Sequence, residues 1–140
     1  MTSAADIMTS GVQCVRAHQT LAEAARMMQD LDVGALPICG DDNRLQGIIT
    51  DRDIVLKCVA VGLDPATCTA AELAQGRPHV VLDDADVSDI LHDMEEYRIR
   101  RMPVVSRDSH LLVGMISEAD IAQHLEADQL AEFVGSITAR

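Results

Sequence analysis

A chain of 140 residues can form one domain or two tightly joined half-domains, and it leaves no room for a separate catalytic domain. Apolar residues make up 48% of the chain but aromatic residues only 1%, so we expect an aliphatic core of the kind that buried strands and covering helices share. The formal net charge of -12 disfavours nucleic acid and anionic membrane surfaces as partners, and no stretch reads as a leader or membrane span, so we expect a soluble, cytoplasmic protein.

The sequence contains two copies of one pattern, which emerge when the chain is aligned against itself. Leu36–Cys39 matches Met102–Val105, and Gly47–Ile54 matches Gly114–Ile121. Both copies close on the motif G-x-I-[ST]-x-x-D-I. We assign residues 1–58 to the first repeat, 59–69 to a connector, 70–124 to the second repeat and 125–140 to a C-terminal helix and tail.

In chain order, the first repeat opens with a short helix over Ala5–Met8 and a brief strand near Val12–Val15. Thr20 then has the position of an N-cap, and apolar residues at helical spacing behind it predict an amphipathic helix. The apolar face comprises Leu21, Ala24, Ala25, Met28 and Leu31. The remaining predicted elements are strands at Ala35–Cys39 and Leu45–Ile49 and a helix that opens at Thr50.

The second repeat follows the same order, with a short helix over Ala71–Ala74, a strand near His79–Leu82 and an N-cap at Asp86. The apolar face of its helix comprises Val87, Ile90, Leu91, Met94 and Tyr97. The remaining predicted elements are strands at Arg101–Val105 and Leu111–Ile116, a helix that opens at Ser117 and a final helix at Ala127–Val134. A βαββα unit of this size leaves one sheet face bare, so we predict an α+β fold in which two tandem repeats pack about a pseudo-twofold axis.

The duplicated order of strand, helix, strand, strand and helix resembles the CBS-domain pair, also called a Bateman module. The resemblance covers nearly the whole chain and includes a proline in the second strand of each copy, Pro37 and Pro103, as well as the closing motif. It implies a regulatory module that holds AMP, ADP, ATP or S-adenosylmethionine in a cleft between its repeats. It also implies a disc-shaped homodimer that signals ligand occupancy to an unidentified partner protein.

The same resemblance assigns roles to individual positions. Asp53 and Asp120 would accept hydrogen bonds from the ribose hydroxyls, and Thr50 and Ser117 would approach the sugar or phosphates. The residues implied in the adenine cleft are Val12, Val15, Leu36, Pro37, His79, Val80, Met102 and Pro103.

The closing motif also has a purely structural interpretation. A Thr or Ser followed three residues later by an acid, where a strand gives way to a helix, has the spacing of a capping box. The two interpretations are compatible, because a helix N-terminus also presents amides to an anionic ligand.

The two copies differ where a phosphate would need a cation. The second repeat has Arg98, Arg100 and Arg101 just before Met102-Pro103, whereas the first repeat has Arg52 inside its closing motif. A guanidinium group can donate two parallel hydrogen bonds to the oxygens of one phosphate, so these arginines are candidate phosphate ligands. Because they occupy different positions in the two copies, we predict two unequal sites. The alternative is a solvated cluster in which Arg98–Arg101 pair with Glu95 and Glu96.

Cys14 and Cys39 align with Val80 and Val105, so both occupy strand positions that tolerate small apolar side chains. One interpretation is a pair of buried thiols that pack as hydrophobic groups. The other is a disulfide between neighbouring strands, which would make the chain a candidate redox sensor. Cys58 and Cys68 flank the connector and have no counterpart in the other copy.

Neither a resident metal nor a catalytic site is predicted. The five histidines are scattered, and no cysteine pair has zinc-ribbon spacing, although a metal at a dimer contact stays open. Walker, G-x-S-x-G and H-E-x-x-H motifs do not occur, so we expect a protein that is not an enzyme. Besides a nucleotide sensor, the open alternatives are the redox sensor and an interaction protein that binds no ligand.

Overall fold

The computed structural model describes residues 2–74 and 78–124, which divide into two compact units. Among these residues, unit 1 combines 2–12 with 79–124, and unit 2 contains 13–74 and Pro78. The units differ from the predicted sequence repeats, because the helix that opens each repeat belongs to the unit built mainly from the other repeat.

The described elements follow the predicted order within each repeat. The helices are α1 (Ala4–Ile7), α2 (Leu21–Leu31), α3 (Asp51–Ile54), α4 (Ala70–Leu73), α5 (Val87–Tyr97) and α6 (Glu118–Ala122). The strands are β1 (Thr9–Ser10), β2 (Val15–Arg16), β3 (Ala35–Cys39), β4 (Leu45–Thr50), β5 (Val81–Leu82), β6 (Arg101–Val105) and β7 (Leu112–Ser117). Helix α3 continues into a π-helical segment at Val55–Val59.

Unit 2 contains a three-stranded sheet in the order β2-β3-β4. Strand β2 runs parallel to β3 with Val15 opposite Ile38, and β3 runs antiparallel to β4 with Ala35 opposite Thr50. Helix α4 joins this unit because Ala70 and Leu73 are buried in its core. The other buried core residues of unit 2 are Val15, Leu21, Ala24, Met28, Leu36, Ile38, Ile49, Ile54 and Cys58.

Unit 1 contains a four-stranded sheet in the order β1-β7-β6-β5. Strands β5 and β6 are parallel, β6 and β7 are antiparallel with Arg101 opposite Ser117, and β1 adds an antiparallel edge to β7. Helix α1 buries Ala4 and Ile7 in the core of this unit. The other buried core residues are Val81, Ile90, Met94, Met102, Val104, Ile116 and Ile121.

Both long helices begin directly after their predicted N-cap residues, Thr20 and Asp86. The Thr20 hydroxyl accepts a hydrogen bond from the backbone N–H of Glu23 at 3.1 Å, which satisfies a free amide in the first turn of α2. Asp86 occupies the N-cap position of α5, but its carboxylate accepts a hydrogen bond from the Ser88 hydroxyl and does not cap the helix. Asp32 and Arg98 end the helices in the left-handed conformation, each with φ of 55°.

The glycine of each closing motif is explained by close packing. A Cβ atom on Gly47 would lie 3.1 Å from the Cβ of Ala74, beside helix α4. A Cβ atom on Gly114 would lie 2.6 Å from the Met8 sulfur, beside β1. Each repeat therefore has glycine where the lead-in segment of the other repeat crosses its last strand.

Two predicted strands need correction, and one predicted helix lies outside the described residues. The strand predicted near Val12–Val15 begins only at Val15, because Gly11 turns the chain with φ of 69° and the pairing with β3 starts after it. The strand predicted near His79–Leu82 is likewise limited to Val81–Leu82, and β1 was not predicted at all. The helix predicted at Ala127–Val134 lies outside the described residues.

Candidate functional site

In each unit the residues of the closing motif lie at one edge of the sheet. Strand β3 begins where β4 ends, so Ala35 lies opposite Thr50. In unit 1 the antiparallel pairing of β6 and β7 places Arg101 opposite Ser117 in the same way. We call these places the unit 2 edge (residues 31–35 and 50–53) and the unit 1 edge (residues 97–101 and 117–120).

Thr50 and Asp53 form a reciprocal capping box at the unit 2 edge. The Asp53 backbone N–H donates to the Thr50 hydroxyl and the Thr50 backbone N–H donates to the Asp53 carboxylate, both at 3.0 Å. The other Asp53 oxygen lies 3.2 Å from the Lys57 ammonium. Partial burial opposes ionisation of Asp53, but the hydrogen bonds from Thr50 and the Lys57 charge outweigh it and lower the pKa of the carboxyl.

Ser117 and Asp120 repeat this arrangement at the unit 1 edge. The Ser117 backbone N–H donates to the Asp120 carboxylate at 2.9 Å, and the Asp120 N–H donates to the Ser117 hydroxyl at 3.3 Å. The predicted capping box is therefore confirmed in both repeats. Each carboxylate stays half-buried, so it keeps accessible oxygen lone pairs besides those used by the cap.

The two edges differ in charge. Arg100 and Arg101 are exposed at the unit 1 edge, and within residues 2–74 and 78–124 neither forms an ion pair with a carboxylate. The Arg100 carbonyl accepts a hydrogen bond from the Glu118 N–H at 2.7 Å, which holds the backbone of Arg100 against the first residue of α6. Glu95 and Glu96, the carboxylates considered as their partners, do not pair with Arg100 or Arg101 in the described part of the chain.

The unit 2 edge has the same backbone contact without the cations. There the Gly34 carbonyl accepts from the Asp51 N–H at 3.0 Å, and Ala35 begins the strand. Arg52 is exposed beside Asp53, so it is the nearest cation on the motif itself. The predicted asymmetry in basic residues is therefore a property of the two folded edges.

Most residues implied in the adenine cleft contribute to the cores. The side chains of Val15, Leu36 and Met102 are buried, and Pro37 and Pro103 are buried beside them. His79 and Val80 are exposed, and Val12 is half-buried. The side chains of His79, Val80 and Val12 are therefore accessible to a ligand, whereas those of the buried residues are not.

His79 packs against a residue that the sequence analysis placed on an apolar helix face. The rings of His79 and Tyr97 are stacked with centroids 3.9 Å apart and planes inclined by 18°. Tyr97 is 46% exposed and its counterpart Leu31 is 38% exposed, so the last residue of each predicted apolar face lies at the surface. The sequence feature that could have indicated an exposed position is that Tyr97 directly precedes the basic segment Arg98–Arg101; the equivalent residue of the first repeat is Leu31.

Cys14 and Cys39 form a disulfide within unit 2, with Cα atoms 5.7 Å apart. It links the segment before β2 to the last residue of β3. Cys58 and Cys68 are free thiols of the same unit, and Cys58 is fully buried. Desolvation and the Glu72 carboxylate raise the pKa of the Cys68 thiol, and the neighbouring Cys58 thiol adds to the increase.

Unit 1 contains an open groove away from this edge. A groove of about 410 Å³ lies at the other end of α5, lined by four carboxylates and by Arg107, which pairs with Asp84. The carboxylates are Asp84, Asp86, Asp89 and Asp93. Such a groove repels anions, so the unit 1 edge suits a phosphate better.

Within the described ranges, no group of three or more His, Cys, Asp or Glu side chains converges closely enough to hold a metal ion. None of the helices in that part of the chain is long and apolar enough to cross a bilayer.

Comparison with known proteins identifies the family. The CBS domain model matches residues 4–59 and 70–127. Hypoxic response protein 1 of Mycobacterium tuberculosis is 53% identical over 137 residues, which cover 98% of this chain and 94% of that protein. The crystal structure of that protein with two coordinated zinc ions has a TM-score of 0.80 at 55% identity and covers 89% of this chain and 100% of its own.

Two solved structures of more distant relatives contain adenosine compounds. The CBS domain pair of MJ0100, in complex with 5'-methylthioadenosine and S-adenosyl-L-methionine, has a TM-score of 0.77 at 26% identity and covers 88% of this chain and 98% of its own. CBSX2 in complex with AMP has a TM-score of 0.73 at 22% identity and covers 87% of this chain and 94% of its own. Two family matches and a relative of near-equal length show that this chain belongs to the CBS-domain family and contains the domain twice.

Proposed function

We propose that this protein is a regulatory module rather than an enzyme, and that it binds an adenine nucleotide (AMP, ADP or ATP) or S-adenosylmethionine. The observation that carries the proposal is the unit 1 edge, where Asp120, Arg100 and Arg101 meet at the junction of β6, β7 and α6. A half-buried carboxylate suits ribose hydroxyls, and exposed guanidinium groups suit phosphate oxygens.

The adenosine compounds bound to the MJ0100 domain pair support this ligand class. The proposal assigns Asp120 and Ser117 to the ribose, and Arg100 and Arg101 to the phosphates. At the unit 2 edge, ligand binding would be weaker and would use Thr50, Asp53 and Arg52. Because the protein has a net charge of -12, the local cations are needed to offset repulsion of an anionic ligand.

Ligand binding would act by shifting the population of conformations that a partner protein recognises. A ligand shifts such an equilibrium only by its difference in affinity for the two states. We further propose a homodimer as the signalling species. Sedimentation velocity with and without AMP tests this step, and a monomer under both conditions would contradict it.

The direct test is isothermal titration calorimetry of the wild type with AMP, ADP, ATP and S-adenosylmethionine. Asp120→Asn preserves the shape of the cap but weakens charge-assisted hydrogen bonds to ribose, so the affinity of unit 1 should fall about tenfold or more. Asp53→Asn is the matched variant at the other edge and should affect the weaker site. Melting temperatures by circular dichroism check that both variants fold.

Carried-over ligand has to be excluded first. The chain has no tryptophan and one tyrosine, so bound nucleotide would dominate its absorbance near 260 nm. A wild type that is free of nucleotide and gives no binding heat with any of the four compounds would overturn the nucleotide proposal.

The Cys14–Cys39 disulfide favours a second candidate function, a response to thiol redox state. In this proposal two electrons and two protons from a dithiol reductant convert the disulfide to two thiols and release β3 from the segment before β2. Hydrogen exchange of Ala17, whose N–H donates to the Cys39 carbonyl at 3.0 Å, should accelerate after reduction. Equal exchange in the oxidised and reduced protein would exclude the redox role.

A further inference from the structure

The two free thiols of unit 2 lie against each other. Cys58 is fully buried in the core of the unit, whereas Cys68 is half-buried and packs on the same core. The Cys58 thiol is among the groups that raise the pKa of Cys68, through both charge and hydrogen bonding. Because a hydrogen bond acts only at short range, the two sulfur atoms are neighbours.

Backbone hydrogen bonds hold the two cysteines in this arrangement. The Leu63 N–H donates to the Cys58 carbonyl, and the Cys68 N–H donates to the carbonyl of the next residue, Asp64, both at 3.0 Å. The Cys58 thiol also contacts the Leu63 carbonyl, with 3.6 Å between sulfur and oxygen. The Cys68 carbonyl accepts from the Leu21 N–H at 2.9 Å, which anchors the segment to the start of α2. The fold has therefore closed the loop between the two thiols before any bond joins them.

Packing alone does not account for a thiol at both positions. A small apolar side chain would fill the same space, and neither cysteine has a counterpart in the second repeat. What distinguishes two neighbouring thiols is that they can be oxidised to a disulfide. Their exposure differs in the way that such chemistry requires, because a reagent can reach the half-buried Cys68 while Cys58 is shielded behind it.

We propose that Cys58 and Cys68 form a second redox pair in unit 2, in which Cys68 reacts with a low-molecular-weight disulfide and Cys58 completes an internal disulfide. The Cys68 thiolate attacks one sulfur of the small disulfide, which gives a mixed disulfide and releases one small thiolate. The Cys58 thiolate then attacks the Cys68 sulfur and releases the second small thiolate. The two protein thiols are oxidised, the small disulfide is reduced, and the two released thiolates take up the two protons that the protein loses.

This pair differs in its starting state from the Cys14–Cys39 disulfide. That bond is already formed, so it responds to a reductant, whereas the free pair responds to an oxidant. Cys58 also directly follows Lys57, whose ammonium lies 3.2 Å from the Asp53 carboxylate. The new bond would therefore constrain the helical segment that leads away from the unit 2 edge.

The experiment is treatment of the purified chain with oxidised glutathione, followed by alkylation of the remaining thiols and mass spectrometry of tryptic peptides. Both cysteines lie on one peptide, residues 58–98, which contains no other cysteine. Most of this peptide should carry neither alkyl groups nor glutathione, as an internal disulfide requires, and dithiothreitol should restore both labels. A Cys14→Val/Cys39→Val variant, which removes the other two sulfurs, should give the same result.

Cys58→Ser separates the two steps of the reaction. Its hydroxyl can still donate to the Leu63 carbonyl, but it cannot displace glutathione from a mixed disulfide. Cys68 in this variant should therefore stop with one glutathione attached. The reverse variant, Cys68→Ser, should leave Cys58 free of glutathione, because the buried thiol is out of reach. Melting temperatures by circular dichroism check that both variants fold.

Two results would overturn the inference. If wild-type Cys68 retains glutathione to the same extent as in Cys58→Ser, then Cys58 does not complete the reaction. If both thiols of the Cys14→Val/Cys39→Val variant stay free under conditions that oxidise the same chain in urea, the fold protects the pair and does not promote its oxidation. Either result leaves the nucleotide proposal and the response of Cys14–Cys39 to reductant unaffected.

Discussion

Gly114 and Thr9 approach so closely in unit 1 that a Cβ atom on Gly114 would lie 2.7 Å from the carbonyl oxygen of Thr9. This oxygen belongs to the backbone of β1, which cannot move aside without losing its pairing with β7. We expect Gly114→Ala to lower the free energy of unfolding by about 2 kcal/mol, as overpacking does in other tightly packed sites.

The matched variant in unit 2 is Gly47→Ala, whose new methyl group would meet the Cβ of Ala74 at 3.1 Å. This contact needs a shift of only a few tenths of an ångström, so we expect a loss of about 1 kcal/mol or less. Urea denaturation measures both values. A Gly114→Ala protein as stable as Gly47→Ala would contradict the packing of β1 on β7.

Asp53 should link stability to pH. Its folded-state pKa is lowered, despite opposing burial, by the Thr50 hydrogen bonds and by Lys57. The resulting stabilisation is fully present above the unfolded value of about 3.9, and it is lost as the pH falls through the folded-state pKa. Asp53→Asn should therefore cost about 1 kcal/mol at pH 7, and this difference should shrink as the pH falls through the folded-state pKa of Asp53.

The control for this prediction is Lys57→Gln. The Lys57 side chain is 45% exposed, so its ion pair with Asp53 should contribute under about 0.5 kcal/mol. Denaturant unfolding between pH 2.5 and 7 compares the variants with the wild type. A stability difference for Asp53→Asn that does not vary with pH would show that the capping carboxylate is not the cause.

Loss of the Cys14–Cys39 disulfide should destabilise the protein by about 3 kcal/mol, because the bond closes a loop between residues 25 positions apart and restricts the unfolded chain. The double variant Cys14→Val/Cys39→Val installs the residues of the second repeat and so preserves apolar packing. Thermal unfolding with and without reductant should show a sensitive wild type and an insensitive double variant. Reductant-independent melting of the wild type would show that the bond does not contribute.

Cys68 should react slowly with thiol reagents. Desolvation and the Glu72 carboxylate raise its pKa, so little thiolate is present near pH 8, and the thiolate is the reactive form. Glu72→Gln removes the charge yet keeps an acceptor for the Thr69 N–H, which now donates to Glu72 at 3.1 Å. Mass spectrometry after iodoacetamide should find faster labelling of Cys68 in Glu72→Gln, and an unchanged rate would exclude Glu72 as a cause.

Local pattern was sufficient for the regular elements. The bounds of β3 and β6 follow the predicted strands residue by residue, and Thr20, Thr50 and Ser117 occupy their predicted N-caps. These features depend on hydrogen bonds and alternation within a few residues of chain. Of the short strands, β1 was missed and β5 was predicted too long, because two residues carry too little pattern and their pairing depends on a distant partner.

The sequence alone determined the duplication, the family and the paired Thr50–Asp53 and Ser117–Asp120 motifs, because each is written in residue identity and spacing. Only the tertiary structure decided that α1 packs with the second repeat, that Cys14 bonds to Cys39, and that Tyr97 stacks on His79 at the surface. The physical reason is that these contacts join segments far apart in the chain. Whether they meet depends on how both segments pack against a common sheet, which no local pattern records.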